Sequence, residues 1–520
     1  MKRVIRYKLN KKTVEREISY IPGRFIVAML LTVLEIVAII GIVVALCMYV
    51  PYFYILAMIT SGMCVLKIIS SDDNPDYKVP WILFVLILPV AGFMLYFMFY
   101  KRSFKKKFIK RAQLIANNFY KKPNDEIIEE IDTQSVEAGS LFKMTVKISS
   151  ANVFKNTKLQ YFPLGEDMWK ALLKDLKKAE KFIYMEYFII EEGKFWDSIL
   201  EILIQKASQG VDVQVLYDDI GCMKTLPGAY WKELKKHGIK ASPFARLRGQ
   251  ADNEFNNRNH RKITVIDGYI GYTGGINIAD EYVNERKRFG HWKDTAVRLE
   301  GEAVWELTKT FVFDFGINVK KLPPVREDLY PAYSADGSGY VIPFTDGPRP
   351  LFERCVGKSV IQQMLNNANK YAYIMTPYLI IDNDLSSSIE NASLRGVDVK
   401  IIVPHIPDKK FVFGMTRSFY NRFLKCGVEI YEYEPGFIHA KNYLIDDEYA
   451  MLGTINLDYR SLVHHFENGV LMYKTDIIKD IKADFDETLK KCIKVTEDVN
   501  KIGVFRKLIR SFIRIFSPLM

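Results

Sequence analysis

Two stretches of the chain repeat one spacing of histidine, lysine and aspartate. They are His260-x-Lys262-x4-Asp267 and His439-x-Lys441-x4-Asp446, and each is followed, six residues on, by a turn that ends in asparagine: Gly274-Gly275-Ile276-Asn277 and Gly453-Thr454-Ile455-Asn456. The chain has only seven histidines in 520 residues, so one chance match is expected on the order of a few times in a hundred from residue frequencies. Two matches with the same extension exclude coincidence. Along a strand, residues i and i+2 share a face, so His260 projects with Lys262 and His439 with Lys441. Related by a pseudo-twofold axis, two such strand ends would bring two imidazoles and two ammonium groups onto one small anion. The lysines and the amides of Asn277 and Asn456 suit phosphoryl oxygens, whose charge dominates phosphoryl transfer. One imidazole can attack phosphorus while the other protonates the leaving alkoxide. A nucleophilic imidazole needs its second nitrogen held by a carboxylate, and Asp294 and Glu467 stand at similar distances downstream of the two motifs. Asp267 and Asp446 complete the catalytic motif, although their place at a strand-to-turn exit favours a structural role over a direct one. The sequence offers no cluster suited to a catalytic metal and no cofactor motif; paired lysines make a metal unnecessary.

The elements around these residues also repeat. Residues 167–180 and 195–209 read as amphipathic helices, and 181–190 and 211–217 (VDVQVLY) as buried strands. The same order returns as helices over 358–368 and 385–394 and strands over 371–381 and 397–403 (VDVKIIV). Ser208-Gln209-Gly210-Val211-Asp212-Val213 matches Leu394-Arg395-Gly396-Val397-Asp398-Val399. The chain is therefore α/β, two duplicated α/β sandwich domains related by pseudo-twofold symmetry, placed at 136–325 and 351–499 with a linker over 326–350. Glu186, Asp218 and Asp219 fall at strand ends and can line the site or bond structurally. The pair His464-His465 reads as a helix-surface feature rather than a metal site.

Charge and hydropathy place this body at a membrane. The net charge of +12 is concentrated at the flanks: +6 over 1–24, +9 over 101–124 and +5 over 500–520. That leaves the middle mildly acidic, the reverse of a nucleic-acid-binding surface and the pattern of attraction to anionic lipid. Residues 81–100 form a chargeless apolar run of 20, long enough to cross a hydrocarbon core of about 30 Å. Two more apolar segments lie between 25 and 66, so two or three transmembrane helices are expected over 25–100, followed by a basic juxtamembrane linker at 101–135. The basic blocks on either side both ask to be cytoplasmic, which needs an even number of crossings; three apolar segments conflict with that unless one is re-entrant or interfacial. Near the other end, Arg506, Arg510 and Arg514 make one stripe beside Phe505, Phe512 and Phe516, the pattern of an amphipathic helix in a membrane interface. Six scattered cysteines with no CxxC pair exclude a disulfide framework and a zinc ribbon.

The duplicated motif resembles that of the phospholipase D superfamily. More narrowly, the chain is similar to the bacterial cardiolipin synthase family in the NPDYKVPW run from Asn74, in Leu216-Tyr217-Asp218-Asp219-Ile220-Gly221, in both motifs with their extensions, in Trp292 to Thr295, in Thr376-Pro377-Tyr378 and in Leu457-Asp458-Tyr459-Arg460-Ser461. Thr454 stands where that family commonly has serine. The resemblance implies a membrane-bound phosphatidyltransferase with phosphatidylglycerol as substrate and anionic membrane lipids around it. His260 would be the nucleophile and His439 the acid, then base; a hydrolytic phospholipase D, or phosphatidylethanolamine as one substrate, are the alternatives.

Overall fold

The computed structural model describes residues 2–9, 12–19, 23–71, 73–97, 106–119, 124–246, 257–319, 326–330 and 333–496, with Arg514 and Ser517. A hairpin of β1 (Lys2–Leu9) and β2 (Lys12–Ser19) comes first. It is followed by α1 (Gly23–Tyr49) and α2 (Pro51–Ile69), the two described helices long and apolar enough to cross a membrane. Their apolar windows, Met29–Leu46 and Tyr52–Ile69, are 0% and 17% buried inside the protein.

The third apolar run departs from expectation. Its described part, residues 81–97, does not form one span: α3 (Pro75–Ile87) ends at Leu88 and α4 (Pro89–Leu95) turns back on it. Pro89 has no N–H to continue the helix, and its ring excludes the carbonyl four residues earlier. Gly92 makes the return possible, because a Cβ there would lie 2.5 Å from the Phe84 carbonyl oxygen. Trp81 and Tyr96 meet edge to face with ring centroids 5.8 Å apart, which a straight helix could not achieve at 1.5 Å rise per residue. At the tip, Ser61, midway along α2, donates its hydroxyl to the Pro89 carbonyl at 2.5 Å. The bond ties the start of α4 to the middle of α2.

The catalytic body contains two sheets of matching topology. The first runs β3-β10-β8-β7-β4-β5-β6, built from β3 (Thr157–Phe162), β4 (Phe182–Tyr187), β5 (Asp212–Asp218), β6 (Lys240–Phe244), β7 (Lys262–Ile266), β8 (Ile270–Gly274) and β10 (Ala296–Gly301), with the short β9 (His291–Lys293) outside it. The second runs β11-β20-β18-β17-β12-β14-β15-β21. Its strands are β11 (Tyr340–Asp346), β12 (Tyr371–Met375), β14 (Asp398–Pro404), β15 (Glu429–Tyr433), β17 (Asn442–Ile445), β18 (Tyr449–Gly453), β20 (Glu467–Tyr473) and an added edge strand β21 (Cys492–Lys494). Three short strands, β13 (Leu379–Ile380), β16 (Gly436–Ile438) and β19 (Leu457–Asp458), lie outside the second sheet. The duplication is thus strand for strand, with β7 answering β17 and β4 answering β12. Ile263, Val265, Val297 and Leu299 of one sheet share a buried core with Ala450, Leu452, Val470 and Met472 of the other. The halves are further joined by β9 pairing in parallel with β16.

Three expected boundaries move. The helix Val136–Ser149, expected to open the first domain, buries Leu141, Phe142 and Val146 against Tyr340, Val360 and Tyr473 of the second half. The expected linker over 326–350 contains β11, a fully integrated strand of the second sheet. The segment expected to be a basic juxtamembrane linker forms helices Lys106–Asn118 and Asp125–Gln134; the first packs Ala112 and Ile115 beside Phe311 and Phe315. In each case apolar residues at helical or strand spacing were diluted by neighbouring charge or proline in the sequence. Of the C-terminal stripe only Arg514 is described, standing over the Phe419 ring at 4.3 Å; Arg506 and Arg510 lie outside the described residues.

Candidate active site

Each histidine is held by a carboxylate from the opposite half. His260 Nδ1 lies 3.0 Å from both carboxylate oxygens of Glu467, and His439 Nδ1 lies 2.6 Å from Asp294 Oδ2. The backbone is crossed in the same way: the His260 N–H donates to the Phe466 carbonyl at 2.9 Å and the His439 N–H to the Lys293 carbonyl at 2.7 Å. Both carboxylates are fully buried and both histidines nearly so. The centre is an interface between repeats, and neither half carries a complete histidine–carboxylate pair of its own. The sequence offers these four residues as candidates and does not disclose the exchange between halves.

The carboxylates are in turn fixed. Ser461 Oγ accepts the Asn456 N–H at 2.8 Å and donates to Glu467 Oε1 at 2.7 Å. Asp294 Oδ1 accepts the Thr295 N–H at 2.8 Å. Lys262 and Lys441, both buried, turn their ammonium groups back to the carbonyls of His260 and His439.

Burial sets the protonation states. It pushes His260 down to about 3, against the pull of Glu467, and His439 down to about 4, with Lys441 adding to the effect. The centre therefore offers neutral imidazoles with Nδ1–H directed at a carboxylate and Nε2 unprotonated. Burial would raise Glu467, but His260 and His465 beside it hold its carboxyl well below the usual range. Burial lowers Lys262 to about 7 and Lys441 to about 8, each lowered further or balanced by the charged groups around the centre. An entering anion reverses these effects, because it favours the charged lysines and a protonated imidazole at His439.

Asp267 and Asp446 sit at the far ends of β7 and β17. The Asp267 carboxylate accepts the N–H groups of Glu180, Lys181 and Phe182 at 2.7–2.8 Å, and that of Asp446 accepts those of Asn369, Lys370 and Tyr371 at 2.6–2.8 Å. Both take a left-handed backbone, φ 51° and 56°, which aspartate tolerates better than most residues. Both stand at the strand-to-turn exit, at the ends of β7 and β17 away from the histidines. Asn277 is largely committed too: its Oδ1 accepts the Ile189 N–H at 3.0 Å and its Nδ2 donates to the Tyr282 hydroxyl at 2.8 Å. Asn456 keeps a buried Oδ1 without a partner.

Asp218 serves the scaffold, bound by the Arg258 guanidinium and by the N–H groups of Ile220 and Gly221. Glu186 bonds Asn259, the residue before His260, and burial with Asp314 nearby raises its pKa well above the ordinary value. His465 differs from expectation. It faces inward, with its ring centroid 5.5 Å from that of His260 and Nδ1 3.7 Å from Glu467 Oε1. Ser461 and His465 were missed because the turn of Arg460–His464 has no helical or strand periodicity to orient its side chains.

Two histidine–lysine motifs meeting across a duplicated α/β fold define an enzyme of the phospholipase D superfamily. A family model described as cardiolipin synthase, PLD-like domain, matches residues 172–303 and 361–489, and one described as phospholipase D-nuclease N-terminal matches 61–99. The chain is 36% identical to cardiolipin synthase 2 of Bacillus cereus over 87% of its length and 88% of the relative's. It is 33% identical to cardiolipin synthase of Oceanobacillus iheyensis over 87% and 95%, and 41% identical to an uncharacterized protein of Streptococcus mutans over 88% and 99%. Among solved structures, phosphatidylserine synthase of Haemophilus influenzae shares the fold, with TM-score 0.56 and 16% identity over 73% of this chain and 98% of that one. The chain belongs to the cardiolipin synthase family.

Proposed function

We propose that this phospholipid phosphatidyltransferase makes cardiolipin and glycerol from two phosphatidylglycerol molecules through a phosphohistidine. The observation that carries the reading is the crossed pair of histidine–carboxylate contacts, which leaves two Nε2 atoms and two lysines for one phosphodiester. His260 Nε2 attacks phosphorus, the bond from phosphorus to the glycerol oxygen breaks, and protonated His439 gives its proton to that oxygen. Glu467 supports the positive charge that develops on His260. The hydroxyl of a second phosphatidylglycerol then passes its proton to His439 and attacks phosphorus, releasing cardiolipin and neutral His260. Asp294 Oδ2, 2.6 Å from His439 Nδ1, supports the proton that His439 carries. Lys262, Lys441 and the remaining capacity of the Asn277 and Asn456 amides neutralise the phosphoryl oxygens.

The folded-back α3–α4 pair supports a topology in which α1 and α2 cross and the hairpin re-enters. Its tip meets α2 at Ser61, near mid-span, and its two ends lie on one side. Two crossings put both basic blocks on the cytoplasmic side with the catalytic body, as the charge rule asks.

The test is lipid mass spectrometry on the purified protein in phosphatidylglycerol vesicles. Cardiolipin with matching glycerol supports the reading; phosphatidic acid as main product makes the enzyme a hydrolase. Adding phosphatidylethanolamine reports whether a second donor competes.

A further inference from the structure

The two half-sites are not equivalent at one position. Two residues before Asp294 stands Trp292, whose ring lies 5.5 Å from that of His439. Two residues before Glu467 stands His465, in the matching place beside His260. One half-site therefore has an apolar wall where the other has a third imidazole. The His465 side chain is 11% exposed, and its Nδ1 is buried without a hydrogen-bond partner among the described residues. Glu467 Oε1, at 3.7 Å, is too far to accept from it. A buried polar atom without a partner is costly, and this one is aimed at the carboxylate that orients His260.

One ligand atom each from His260, His465 and Glu467 lie within 4.8 Å of one another. Two imidazoles and a carboxylate around an open fourth position are a donor set that suits zinc and its first-row neighbours. Hard ions such as magnesium prefer an all-oxygen shell with retained water. We propose that His260, His465 and Glu467 form an inhibitory site for a borderline transition-metal ion such as zinc. Binding needs no covalent step. The ion takes a lone pair from each imidazole and one from a carboxylate oxygen; on His260 it binds Nδ1, whose proton moves to Nε2, so the hydrogen bond to Glu467 is displaced and the attacking nitrogen is blocked. Metal occupancy and phosphoryl transfer are therefore exclusive. Lys262 and Lys441 face the same centre and oppose a dication, so the site binds reversibly and more weakly than a structural zinc site. The inference rests on the proposed catalytic roles of His260 and Glu467 only for its effect on activity.

The test uses the untagged full-length protein in detergent, with cobalt(II) as a spectroscopic probe and zinc as inhibitor. Visible cobalt bands that saturate at one ion per chain are expected, together with zinc inhibition reversed by a chelator and not reproduced by magnesium. His465→Leu should abolish the bands and raise the zinc concentration for half-inhibition, measured against that variant's own metal-free rate, by roughly tenfold or more. His465→Gln provides the same comparison if the leucine variant does not fold. Absence of the bands in the unaltered protein, or bands and zinc sensitivity unchanged in both variants, overturns the site. Bands that require His465 without any inhibition uphold the site and instead refute the catalytic roles assigned to His260 and Glu467.

Discussion

Replacing Glu467 by glutamine tests the crossed pairing at its most exposed point. Both carboxylate oxygens lie 3.0 Å from His260 Nδ1, so an amide in the same place puts its NH2 against that nitrogen. The choice of orientation is constrained, because Ser461 donates to Oε1 at 2.7 Å while its own oxygen already accepts the Asn456 N–H. The amide oxygen must face Ser461. That oxygen stays 3.0 Å from Nδ1, but the NH2 at the other carboxylate position is equally close, competes for the same nitrogen, and favours the tautomer with its proton on Nε2, the atom required to attack. The variant loses a charge-assisted hydrogen bond, about 1.5–3 kcal/mol, and also the reactive tautomer. Together we expect roughly 4–5.5 kcal/mol on the barrier, about 10³- to 10⁴-fold in cardiolipin formation. The assay is cardiolipin formed from phosphatidylglycerol vesicles by mass spectrometry. Removing Ser461 as well frees the amide to turn its NH2 away from Nδ1, so Glu467→Gln/Ser461→Ala should exceed Glu467→Gln by about tenfold, a coupling of about 1.4 kcal/mol. Retention of more than about a tenth of the activity in Glu467→Gln, or a double variant no better than the single one, refutes the reasoning.

Asp267→Ala and Asp446→Ala should damage folding rather than chemistry: each removes an acceptor for three backbone N–H groups, expected to cost about 2–4 kcal/mol, seen as a lowered melting temperature with turnover per folded molecule largely kept. Binding of dimethyl phosphate, a monoanion across the working range, should weaken as pH rises. Lys262 and Lys441 are lowered to about 7 and 8 and so lose their protons through that window in the empty centre, whereas the bound anion favours the charged forms; titration calorimetry should show proton uptake on binding near pH 8, and a pH-independent affinity from 6 to 9 would contradict it. Asp76→Ala should lower turnover several-fold, because Asp76 accepts from the Asn383 N–H at 2.9 Å and the Tyr459 hydroxyl at 3.0 Å and thereby ties the first turn of α3 to the residues leading into the turn that carries Ser461; unchanged turnover and melting temperature would show that this tie does not matter.

The catalytic centre was legible because its residues sit in short, rigid, repeated contexts. His260 and Lys262 precede and open β7, His439 and Lys441 precede β17, and the duplication announced that the two would meet. Helix and strand positions such as Lys194–Ser208 and Asp212–Asp218 fall within a residue or two of the periodic reading. The crossing of Asp294 and Glu467 between halves was not legible, because spacing along one chain carries no information on which repeat a side chain faces. His465 was misread as a surface residue because a turn gives no periodicity to orient it. The run at 81–100 satisfies every composition test for a span, and Pro89 with Gly92 decides against it only through backbone geometry. Val136–Ser149 shows the same limit at domain scale: its apolar stripe is visible in the sequence, but the half that covers it is not.

The central claim is that His260 carries the phosphatidyl group. Turnover of phosphorus-labelled phosphatidylglycerol, quenched in base to preserve a phosphorus–nitrogen bond and followed by peptide mapping, tests it most directly. Acid-labile label on the peptide containing His260, absent in His260→Asn, is the expected result. Label on the His439 peptide, or cardiolipin formed at full rate by His260→Asn, would contradict it.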